Sequence, residues 1–195
     1  MFHSEQSGIP ISCAASLNAR PTCGSSLRTY CGDKRLSGLA EELADSLEAE
    51  GTKTIDFFEA LSADGWDYPI YSEGPGWRIH NLLAHFVEVE GSIPKLIRSI
   101  VEGGIGVPED FDIDRWNAKH TGEISARDRS WLLAEFGRRR AATVEMVRGF
   151  GDADLEKRGR HPALGVTEVK HMLRLMYIHI QGHQRDIKRA LNSPQ

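Results

Sequence analysis

Four stretches of this chain return an apolar residue every three or four positions, and nowhere do apolar and polar residues alternate as a strand requires. The first runs from about Ser37 to Leu61, with Leu39, Leu43, Leu47, Phe58 and Leu61 on its stripe and Asp64-Gly65 after it. Ser37 is placed to cap it, and Glu41 and Glu42 suit the positive end of its dipole. The second spans about Trp77 to Val101 through Ile79, Leu82, Leu83, Phe86, Ile93 and Ile97, with Pro94 expected to bend it. The third begins near Ser125, where Ser125 and Asp128 have capping-box spacing, and ends before Gly149. The fourth, from about Thr167 to Leu191, turns Val169, Met172, Leu173, Met176, Ile180 and Ile187 inward. Four amphipathic helices without strands predict an all-α four-helix bundle. A linker of about 20 residues between the second and third predicts a long crossover there.

The bundle accounts for residues 37–195. Residues 1–36 are rich in Ser and Gly, carry Cys13, Cys23 and Cys31, and have a net charge of +2 against −6 for the rest. Such a segment cannot bury enough apolar surface to fold, so a disordered N-terminal extension is expected. Three cysteines argue against a disulfide framework, and their spacing is too wide for a zinc knuckle. No basic region precedes a secretory core, and Pro10 interrupts the only candidate. The expected location is cytoplasmic, although the Arg and Ser content also suits an organelle transit peptide. The chain has no apolar run of membrane-spanning length, and its overall charge of −4 speaks against nucleic acid as a partner.

Helical angle sorts the histidines. At about 100° per residue, with Val169 as origin, the apolar face of the fourth helix centres near roughly 350°, His183 near 320° and His179 near 280°. Both face the core or its edge, one turn apart. His171 points away. On the second helix His85 flanks the apolar face while His80 points outward; His120 and His161 fall in connections. Two imidazoles side by side on an apolar face, with a third beside them, suit a metal ion with an open coordination position, and equally suit core histidines with other partners.

Trp77-Arg-Ile-His-Asn-Leu-Leu-Ala-His85 resembles the tryptophan-to-histidine motif of the DinB/YfiT-like metalloenzyme superfamily. Asp112-Ile-Asp114-Arg-Trp116-Asn117, Gly151-Asp152-Ala-Asp154-Leu155 and His179-Ile-Gln-Gly-His183 follow in the order typical of it. The resemblance covers about residues 37–191. It implies a four-helix bundle holding a divalent metal through His85, His179 and His183, an all-imidazole set that suits zinc or nickel. It also implies chemistry of the kind found in relatives that are S-transferases or isomerases using a small cellular thiol.

Other constellations are weaker. Asp110, Asp112 and Asp114 lack the glycine and glutamate of a calcium loop, so capping is expected of them. Ile180 stands where a zinc peptidase needs a glutamate. Of Arg138-Arg139-Arg140, only Arg140 falls in the apolar stripe. It is either held by a carboxylate or is a catalytic-site group steering an anionic substrate. Asn81 and Glu88 are either groups that orient an imidazole or ordinary surface residues, and Glu90 faces inward as half of a buried ion pair or a group near a cavity. The expected partners are a small-molecule electrophile and a low-molecular-weight thiol cosubstrate, since the chain has no cysteine after Cys31. Metal-assisted hydrolysis and a non-catalytic, metal-stabilised binding role are the alternatives, and a homodimer is compatible with all three.

Overall fold

In the computed structural model, which describes residues 38–71 and 76–192, the apolar stripes become four long helices. They are α1 (Leu39–Glu59), α2 (Ile79–Val101), α4 (Arg129–Arg148) and α6 (Val169–Asn192). Both α1 and α2 pack against α4 and α6, which places α1 diagonally across the bundle from α2. The core falls into two apolar layers. One joins Leu43, Leu47, Ile97, Val147, Met172 and Leu173; the other joins Phe58, Leu83, Phe86, Leu132, Phe136 and Ile187. No helix among the described residues is long and apolar enough to cross a membrane. The extension 1–36 and the cap expected at Ser37 lie outside the described residues.

Between the two layers lies a buried ion pair. Glu90 follows Phe86 and precedes Ile93 on α2, and Arg140 lies between Phe136 and Val144 on α4. Arg140 donates to Glu90 Oε1 at 2.6 Å and to the Leu47 carbonyl at 2.9 Å, both side chains being almost fully enclosed. Gly51 makes this passage open: a Cβ there would stand 2.7 Å from Arg140 Cγ.

The connections hold what the sequence pattern lacks. The crossover contains α3 (Ile113–Ile124), a largely polar helix lying on α2, and Asp112 caps it by accepting from the Arg115 N–H at 2.9 Å. The capping expected of these aspartates is therefore met by Asp112. Ser125 does not open the next helix; it closes α3, donating to the Thr121 carbonyl, while Asp128 caps α4 by accepting from Trp131. His120 belongs to α3, not to a connection.

The expectation of no strand needs correcting too. After the short α5 (Asp152–Glu156), β1 (Arg158–His161) pairs antiparallel with β2 (Gly165–Glu168), from Arg158 opposite Glu168 to His161 opposite Gly165. Four-residue strands with polar sequences carry no usable alternation, and this hairpin is held by backbone bonds. The crossover is stitched to it where Arg160 N–H donates to Ile105 O at 2.9 Å and Val107 N–H to Arg160 O at 3.0 Å. Gly106, at φ +91°, lies so close to the Arg160 backbone that no side chain fits there.

Candidate metal centre and cavity

The periodicity of α2 and α6 carries His85, His179 and His183 to one place. One ring nitrogen from each falls within 4.8 Å of the others, and among the described residues this is the one cluster of three or more His, Cys, Asp or Glu so arranged. His179 Nε2 and His183 Nε2 stand 2.8 Å apart. The His85 ring lies 5.1 Å from that of His179 and 5.8 Å from that of His183, centre to centre. Trp77 packs on His85 at 4.8 Å, so the two ends of the tryptophan-to-histidine motif meet in space.

The protonation pattern of the cluster follows from its neighbours. Tyr71 donates its one hydroxyl proton to Asp186 Oδ2 at 2.7 Å, because a carboxylate can only accept. Its oxygen, 2.8 Å from His183 Nδ1, must therefore accept from that nitrogen. With its proton on Nδ1, His183 directs the Nε2 lone pair at His179. Burial holds all three imidazoles below the usual histidine range; for His85 the neighbouring His179 and His183 add to it. For His183, burial and His179 bring the pKa to about 4 against the opposing pull of Asp186. Neutral imidazole is the metal-ligating form. His85 Nδ1 is buried with no hydrogen-bond partner among the described residues, and the two facing Nε2 atoms need a proton or a cation between them. This donor set fits a divalent ion.

His85 and His179 also open onto a cavity of about 750 Å³ between α2, α3, α6 and the hairpin, with Val89, Leu96, Phe111, Trp116 and Met176 among its mostly apolar walls. Glu88 is buried in its wall, one turn from His85, and accepts from the Trp116 indole at 2.8 Å. Neither Glu88 nor Asn81 bonds a cluster imidazole: Asn81 accepts from the Arg78 N–H and donates to Ser125.

Arg140 does not line the cavity. Its two terminal nitrogens bond Glu90 and the Leu47 carbonyl and its unpartnered Nε is buried, so the carboxylate-held alternative describes its position and the anion-steering one has no group that reaches the cavity. Its neighbour Arg139 is the one that reaches the cavity, held by Glu135 and the Val87 carbonyl. His161, left out of the site by sequence reasoning, is also in the wall. Its Nδ1 accepts from the Ala163 N–H at 3.1 Å, which leaves the proton on Nε2, and burial together with His179 lowers its pKa to about 4. Only the hairpin, which the sequence pattern hides, brings it there.

A helical bundle with three convergent imidazoles beside a largely apolar cavity defines the class. Residues 46–187 match the family model of the DinB superfamily, and the chain belongs to that superfamily. No curated protein matches the sequence. The fold is similar to that of YfiT from Bacillus subtilis, described as a probable metal-dependent hydrolase with an unusual four-helix bundle topology. The TM-score is 0.64 and the identity 15%, over 85% of this chain and 91% of that one. It is also similar to a mycothiol-dependent maleylpyruvate isomerase, with a TM-score of 0.58 and 13% identity, over 77% of this chain and 61% of that one.

Proposed function

We propose that this chain is a metal-dependent transferase that uses a low-molecular-weight thiol as nucleophile against an electrophilic small molecule. The observation that carries the reading is the opening of a three-imidazole cluster onto a substrate-sized cavity. His85, His179 and His183 would hold a divalent ion, zinc or nickel, and Tyr71 with Asp186 keeps the His183 Nε2 lone pair available. When bound, such an ion supplies a Lewis acid that favours thiolate, the nucleophilic form of a thiol, at neutral pH. The apolar walls limit water, and the described residues hold no cysteine, so the thiol is read as that of a cosubstrate. A cytoplasmic setting suits this, since thiols there are kept reduced. The similarity to a mycothiol-dependent isomerase supports the thiol, and the similarity to a probable hydrolase keeps water as the competing nucleophile.

Two measurements test the reading. Elemental analysis should find one metal ion per wild-type chain, none in His183→Ala and one in His171→Ala; metal-free wild type would overturn the site. The cobalt-loaded protein should change its visible spectrum on addition of small thiols. Indifference to thiols with a response to water-competing anions would favour hydrolysis, and indifference to both would favour a structural ion.

A further inference from the structure

Glu88 has a feature that the thiol chemistry leaves unused. Its side chain is enclosed in the cavity wall, the residue being 6% exposed, yet a carboxylate has about four lone-pair sites and, among the described residues, only the Trp116 indole donates to it. That bond is to Oε1. No donor among the described residues reaches Oε2, which is not sealed from the cavity space. An acceptor that faces an apolar cavity without a protein donor is open to a donor carried by a ligand. The nearby rings strengthen the case: Phe111 and Trp116 line the same cavity with centroids 5.5 Å apart, His120 stacks on Trp116 at 3.9 Å, and aromatic rings attract organic cations. Of the cavity's cations, Arg139 is tied to Glu135 and the Val87 carbonyl, and Lys95 is exposed.

We infer that this cavity binds an apolar molecule carrying an ammonium group, with the ammonium donating to Glu88 Oε2 beside the Phe111 and Trp116 rings. As a statement about substrate the inference rests on reading the cavity as an active site; as a statement about binding it needs neither metal nor thiol. The test uses an isosteric pair, protonated 2-phenylethylamine and neutral 2-phenylethanol, titrated calorimetrically into the full chain at pH 7 with and without zinc. The wild type should prefer the ammonium roughly 10- to 100-fold, the range of a charge-assisted hydrogen bond. In Glu88→Gln, whose amide oxygen still accepts from Trp116, the preference should fall to near unity. Equal affinities in the wild type, or a preference kept in the variant, would overturn the inference, as would a preference seen only with zinc, which would place the amine on the metal. Should the variant misfold, the wild-type pair alone decides. The cobalt–thiol titration is separate, so either reading can fail while the other stands.

Discussion

Tyr71 sets which nitrogen of His183 faces the cluster, and it does so with one hydroxyl bonded to two groups 2.7 and 2.8 Å away. Tyr71→Phe should weaken metal affinity about 10- to 100-fold, as loss of a ligand-orienting group does, with little change in the fold. Competition against a chromophoric chelator would measure it; unchanged affinity would show that the tautomer is fixed otherwise. Gly51 makes a prediction of opposite sign to helix propensity. Alanine is the better helix former by about 1 kcal/mol, but its Cβ would meet Arg140 Cγ at 2.7 Å and disturb the ion pair with Glu90. Gly51→Ala should therefore destabilise by about 1–3 kcal/mol in urea unfolding, the usual cost of overpacking. At this scale the sequence was partly readable. It gave Glu90 an inward position and Arg140 a carboxylate as one alternative, but not the identity of the pair, since the partners lie on different helices.

Among the elements, the hairpin and α3 build the outer wall of the cavity, and both depend on small local devices. Asp112→Ala removes the cap of α3 and should cost about 0.5–2 kcal/mol. Because α3 packs mainly on α2, hydrogen exchange should quicken in α3 first, ahead of the bundle helices. Uniform acceleration across all helices would show that α3 does not open alone. The long helices were legible in sequence because each presents a continuous apolar stripe with a period near 3.6. The polar sequence of α3 gave no such stripe, and the hairpin strands are too short to show a period of two. Their placement comes from close backbone approach: Gly159 leaves room for Ile100, and Gly106 for the Arg160 backbone.

For the whole molecule, the buried histidines tie stability to pH. His161 and His183 have folded pKa values of about 4 against an ordinary value near 6.5, and those of His85 and His179 are lowered as well. Between about pH 6.5 and 4 the unfolded chain binds more protons than the folded one, so stability falls as pH falls through that window. The loss should be on the order of 2–3 kcal/mol for each of His161 and His183, read as a lower urea midpoint near pH 4.5 than at pH 7.5. A flat profile would mean that the imidazoles are better solvated than their burial implies. Metal acts in the opposite direction: zinc at about 100 times its dissociation constant should stabilise the wild type by about 2.7 kcal/mol and leave His183→Ala unchanged.

The sequence by itself determined the bundle, because stripe periodicity needs only local order, and it singled out His85, His179 and His183, because helical angle together with the family resemblance requires nothing more. Tertiary structure decided the rest. Diagonal placement of α1 and α2, the closure of the hairpin on the crossover, the commitment of Arg140 to Glu90, and the entry of Arg139, His161 and Glu88 into one cavity all depend on contacts between distant segments. No local period records such contacts, since they are set by how whole elements pack and by which buried polar groups find partners when they do.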